Sequence, residues 1–298
     1  MGRVYAVASG KGGVGKTTTV ANLGAVLAAG GHETVVVDAD LGMGNLSGAL
    51  GVDPEAGPTV NDVLAGETTV EAAMREGPAG LSVLPASNDL DDFGPAAPAN
   101  LEALLESIDA TVVLLDTSAG LSHDSVEPLR VADEVLLVST PEQGAIGDTV
   151  KTREVAERIE TPVAGAVVTR ATVDVDPDAL ADRLGVPVRG TIPEDPSVGV
   201  AAEAGEPLLT SAPNAPATAA YRRLAAELTG DESLEPAESD EPAGDEEGGE
   251  STEADSEAES TDDTAEASDG DDTDGESDPE AESDDEDGGG GFLRWLLP

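Results

Sequence analysis

Residues 9–18 read Ser9-Gly10-Lys11-Gly12-Gly13-Val14-Gly15-Lys16-Thr17-Thr18. This string sits between a short β-rich apolar run at 4–9 and a helical pattern over 17–29, where Val20, Leu23, Val26 and Leu27 recur at helical spacing. A glycine, four residues, then Gly-Lys-Thr lets backbone N–H groups turn inward around phosphate oxygens, and the helix that follows adds the partial positive charge of its N-terminus. The nucleotide-binding set is therefore Gly10, Lys11, Gly12, Gly13, Val14, Gly15, Lys16, Thr17 and Thr18. Lys16 is expected to reach the β- and γ-phosphates of ATP, Thr17 to offer its hydroxyl to Mg²⁺, and Thr18 to hold the α-phosphate. The chain has only three lysines, at 11, 16 and 151, and two of them lie in this loop. A composition that has dispensed with lysine almost everywhere keeps it where phosphate charge must be met.

Further apolar runs follow at 34–37, 81–84, 111–115, 134–138, 163–168 and 188–192, separated by helix-compatible stretches such as 100–108 and 215–228. Runs apolar on both faces fit buried parallel strands. The expected fold is a doubly wound α/β domain, a mainly parallel sheet of about seven strands in a three-layer α/β/α sandwich spanning 1–230. Ligands of such sheets bind at the carboxyl ends of the strands, where the glycine-rich loop, Asp38, Asp40 and Asp116 all fall.

Charge divides the chain. Of the net −49, residues 1–230 carry −21 and residues 231–298 carry −28. A surface this acidic repels itself until salt shortens the Debye length, which points to a salt-rich cytoplasm. It also makes nucleic acid a poor partner, since no run of Lys and Arg exists to neutralise phosphates. With no cysteine, disulfides and thiolate metal sites are excluded. His32 and His123 read as solvated loop residues. No signal-peptide pattern and no run of transmembrane length occurs, so a cytoplasmic location is expected.

Val35-Val36-Val37-Asp38-Ala39-Asp40 is a buried strand ending in two carboxylates that point the same way if strand geometry persists. One group facing Mg²⁺ and one facing the attacking water is what phosphoryl transfer requires. Taken alone, each strand-end carboxylate could instead cap a helix, and Lys11 could be an exposed loop lysine.

The string from Lys11 to Thr18 resembles the deviant Walker A motif of the MinD and ParA family of ATPases. Segments 40–46, 84–87, 192–198 and 205–207 are similar to those of its MinD branch. The resemblance implies ATP with Mg²⁺, and a homodimer across which Lys11 reaches the partner's phosphates. It implies catalytic roles for Lys11, Lys16 and Asp40, which would orient or activate water. Asp38 would sit beside the metal, and Asp116, ending a Walker B-like strand, would bind it through water. Thr17, Asp38 and Asp116 form the implied metal set, and residues 116–121 the second switch loop. Arg170 and Pro193 would contact the base. Three departures stand out: Gly44 occupies the place of an arginine that often precedes the asparagine, Ala171 follows Arg170 where an asparagine near the adenine is common, and the acidic linker is long.

Residues 231–291 are almost devoid of large apolar side chains and are expected to form a disordered acidic linker. Residues 292–298, Phe-Leu-Arg-Trp-Leu-Leu-Pro, form an apolar tip similar to the MinD membrane-targeting segment. One tip binds a bilayer marginally, while two on an ATP-induced dimer gain by avidity, which makes attachment to the inner membrane surface nucleotide-dependent. The expected function is an ATPase switch for positioning cellular machinery, turned over by an unidentified activator. Alternatives are a ParA-like partitioning ATPase, a noncatalytic nucleotide-bound scaffold, and a tip that docks in a protein groove rather than lipid.

Overall fold

The computed structural model describes residues 2–89, 92, 96–120 and 123–236. Leu121, most of the acidic segment and the apolar tip therefore lie outside the described residues. The strands are β1 (Arg3–Ala8), β2 (Thr34–Asp38), β3 (Arg75–Glu76), β4 (Ser82–Leu84), β5 (Val112–Asp116), β6 (Glu134–Ser139), β7 (Val163–Ala171) and β8 (Val188–Pro193). They form one sheet in the order β3-β4-β2-β5-β1-β6-β7-β8. Seven strands run parallel, and they are the seven expected from the apolar runs. The eighth, β3, is a two-residue antiparallel edge beside β4, too short to carry a periodic signal.

Burial alternates along β1 as a two-sided sheet requires. Tyr5 and Val7 enter one core cluster, while Val4 enters a second and Ala6 and Ala8 a third. Helices cover both faces: α1 (Lys16–Ala29), α2 (Leu46–Ala49), α3 (Val60–Ala65), α4 (Val70–Ala73), α5 (Leu101–Glu106), α6 (His123–Val131), α7 (Gln143–Arg158), α8 (Pro177–Leu184), α9 (Pro196–Ala204), α10 (Leu208–Ser211) and α11 (Pro216–Thr229). Residues of α1, α2, α9, α10 and α11 share the first cluster, and α3 to α5 and then α6 to α8 pack against the other face. Helix α1 is buried nearly all round, from Thr19 to Leu27, because α11 lies over it.

Two expectations change. His123 is the first residue of α6 rather than a loop residue. His32 does lie in a loop, between α1 and β2, but is half-buried, with Nε2 3.1 Å from a carboxylate oxygen of Asp231. The packed chain also continues past Gly230. Residues Glu232–Leu234 form a 3₁₀ turn, and Leu234 is buried in the core against Gly30.

Candidate functional site

Because seven strands are parallel, their C-terminal ends share one edge, and the loop of residues 9–15 lies on it between β1 and α1. Gly13 and Gly15 adopt φ of 74° and 95°, a left-handed backbone that only glycine takes without strain. Gly10 faces a different constraint, since a Cβ there would overlap the Asp148 carbonyl of α7. Helix α1 has no side-chain cap and no acidic residue in its first turn, so among the described residues no side chain satisfies its leading N–H groups. Such an end accepts an anion.

The two loop lysines differ in environment. Lys16 is buried at 9% exposure. Burial lowers its ammonium pKa, and Asp116 and Asp40 act in the opposite sense. Lys11 is half-exposed on the surface, 3.2 Å from Glu142, which precedes α7.

Strand order explains the acidic cluster. Asp38 and Asp116 end neighbouring strands and are register partners across β2 and β5, bringing together residues far apart in sequence. Asp38 is fully buried; it accepts hydrogen bonds from the Leu46 N–H at 3.1 Å and the Asp40 N–H at 3.2 Å. Burial and then the charge of Asp116 raise its pKa well above the carboxylate range, against the pull of those two amides. Burial pushes Asp116 up to about 7, with the Thr17 hydroxyl and Lys16 drawing it down and Asp40 pushing up. Asp40 is half-buried and raised by burial, tempered by the Met43 backbone and Lys16. The loop after Asp40 folds so close that a Cβ at Gly44 would stand 2.7 Å from Asp38 Oδ2.

These residues fit a magnesium ion. Asp116 Oδ1 is buried without a hydrogen-bond partner, beside a second carboxylate that burial disfavours in its charged form. A dication would supply the missing positive charge. Two carboxylates and a threonine hydroxyl resemble the sparse protein donor set that Mg²⁺ takes, with phosphate and water completing its octahedron.

Next to the loop, a cavity of about 400 Å³ is lined by Val14, Gly15 and Thr18 on one side and by Thr169, Arg170, Pro193, Asp195, Val198 and Tyr221 on others. Arg170 and Pro193, the expected base contacts, both line this cavity. Arg170, however, also donates from Nη2 to the Gly13 carbonyl at 2.9 Å. Thr169, Asp195 and Tyr221 were not singled out from sequence. Tyr221 is hidden within the apolar periodicity of α11, and Asp195 within a segment noted only for its likeness to relatives.

Residues 5–208 match the profile described as the CobQ/CobB/MinD/ParA nucleotide binding domain. The chain belongs to this MinD/ParA family. Its similarity is broad. An uncharacterised ATP-binding protein of Methanocaldococcus jannaschii is 38% identical over 235 residues, covering 77% of this chain and 89% of the relative. The septum site-determining protein MinD of Synechocystis is 31% identical over 241 residues, covering 77% and 90%. Among solved structures, MinD of Pyrococcus horikoshii in complex with Mg-ADP superposes with a TM-score of 0.72 at 32% identity, covering 77% of this chain and 96% of the other. As a MinD-like member of the family, the chain has the fold read from its sequence. Among the described residues, no helix is long and apolar enough to cross a membrane.

Proposed function

We propose that this MinD-like protein hydrolyses ATP to ADP and phosphate with Mg²⁺, and that the cycle controls dimerisation and attachment to the membrane. The observation that carries this reading is the concentration of Lys16, Asp38, Asp40 and Asp116 around one uncapped helix start, with Lys11 left outside.

We assign each residue a role consistent with its placement. The loop amides and Lys16 bind the phosphates, and the buried ammonium, weakly hydrated already, needs little reorganisation to meet them. Thr17, Asp38 and Asp116 would hold Mg²⁺, which when bound draws charge from the phosphoryl oxygens. Asp40 is half-open to solvent, and its raised pKa suits a group that orients water and takes its proton. Arg170 and Pro193 border the base. Lys11 is exposed and, among the described residues, pairs with a solvated glutamate, an ion pair worth little, so it can turn to a second protomer's phosphates. Two apolar tips at 292–298, brought together in that dimer, would hold a bilayer where one does not. Release would follow hydrolysis, accelerated by an activating partner.

Light scattering with Mg-ATP tests the switch. Lys11→Ala is expected to keep nucleotide binding and remain monomeric, and an unchanged ATP-dependent dimer would sink the role given to Lys11. Asp40→Ala is expected to dimerise with ATP while its phosphate release falls by about 10²- to 10⁴-fold. Flotation with anionic-lipid vesicles, with and without residues 288–298, reads the attachment step. Equal, nucleotide-independent binding by the two forms would reject the tip as a membrane anchor.

A further inference from the structure

The phosphate loop is held by its carbonyls. Ser9 Oγ donates to the Lys11 carbonyl at 2.8 Å, Arg170 Nη2 to that of Gly13 at 2.9 Å, and Thr169 Oγ1 to that of Val14 at 2.6 Å. Thr19 Oγ1 donates to the carbonyl of Gly15 at 2.8 Å. A peptide unit is planar and trans, so fixing a carbonyl on one side turns the following N–H to the other. Ser9 and Thr19 belong to the loop and its helix. Thr169 and Arg170 come from β7, more than 150 residues away.

The end of β7 is irregular where these two residues lie. Val168 pairs with Thr191 and Ala171 with Pro193, so β7 carries one residue more than β8 over this interval. Arg170 has φ of 51°, one of three non-glycine residues with positive φ among those described. A bulge and a left-handed arginine each carry a conformational cost and persist where the surroundings over-determine them. Here they free consecutive side chains of β7 to aim at consecutive carbonyls of the loop. Thr169 is buried at 6% exposure and also reaches the Ser139 carbonyl at the end of β6, at 3.2 Å.

We propose that Thr169 and Arg170 are positioning residues for phosphate binding, which aim the Gly15 and Val14 N–H groups at the nucleotide's diphosphate by holding the Val14 and Gly13 carbonyls. This rests on the nucleotide site described above and moves Arg170 from reading the base to shaping the loop. A residue that reads the base stabilises every adenine nucleotide alike. A residue that shapes the loop matters in proportion to the phosphates the loop receives.

Calorimetric titration of the full chain with Mg-ADP and with AMP separates these roles. Thr169→Val removes the hydroxyl at nearly constant shape, and Arg170→Gln removes the guanidinium from an exposed position where folding is not at stake. Each variant is expected to bind Mg-ADP about tenfold more weakly, as loss of one satisfied hydrogen bond predicts, with a much smaller change in AMP affinity. Equal weakening of ADP and AMP would return Arg170 to the base. Unchanged ADP affinity in Arg170→Gln would overturn the clamp even if Thr169→Val fails to fold. Parent protein that binds no Mg-ADP would overturn the nucleotide reading itself, an outcome distinct from either of the others.

Discussion

Helices α1 and α9 both start at the carboxyl edge of the sheet, yet their leading N–H groups are treated in opposite ways. At α9 the Asp195 carboxylate accepts from Ser197 N–H at 2.8 Å and, through its other oxygen, from Ala217 N–H at 3.1 Å, near the start of α11. Burial works against its charge, but those bonds outweigh it and hold its carboxyl below the ordinary range. At α1 the cap position is Gly15, no side chain among the described residues caps the leading amides, and a buried lysine stands beside them. The α9 start is closed by the protein itself and serves the fold. The α1 start is left open, and the positive potential it keeps is available to a ligand.

That contrast predicts a double dissociation. Lys16→Ala at the open start is expected to weaken Mg-ADP binding by about 10²- to 10³-fold, the scale for truncating one side of a desolvated charge pair. It should leave the melting temperature of the nucleotide-free protein nearly unchanged. Asp195→Ala at the closed start should do the reverse. Losing caps on two helices at ~1 kcal/mol each lowers Tm by about 4–8 °C, with a much smaller change in Mg-ADP affinity. Calorimetry of both variants decides the matter, and a similar loss of affinity in the two would erase the distinction.

The smallest effect sharpens the comparison through pH. Asp116 lies by the open start with its carboxyl pushed from 3.8 to about 7. Between those values the folded protein holds a proton that the unfolded chain has lost, so this group's contribution to stability is full below pH 3.8. It falls as pH rises towards 7. Asp116→Asn removes the dependence. The variant should melt higher than the parent without nucleotide, with a gap that widens as pH rises through the interval between the two values and is level above it. A gap independent of pH would show that the carboxylate carries no such burden.

Much of this was legible in the sequence because the signals were local. Glycine spacing marked the loop, and apolar runs marked all seven parallel strands. Strand ends marked Asp38, Asp40 and Asp116, but not that Asp38 and Asp116 are neighbours, since that follows from strand order. The Thr169–Arg170 clamp was illegible for a related reason. A bulge is a property of pairing between two strands, and Thr169 has no local pattern distinguishing it from any buried strand residue. Asp195 bonds the start of α9 two residues on, a local contact, whereas its second partner, 22 residues on, lies on another helix. His32 and Asp231 meet across almost the whole folded chain, which no window detects.

The strand order also dictates when this site can exist during synthesis. The loop and α1 are made first, yet β1 lies between β5 and β6, so its two neighbours emerge only with residues 112–139. The two distant residues that hold loop carbonyls emerge at 169 and 170, and the far wall of the cavity near 193 to 221. A nascent chain therefore carries its phosphate loop unfinished through most of translation. Nucleotide capture becomes a late event that marks a sheet already assembled.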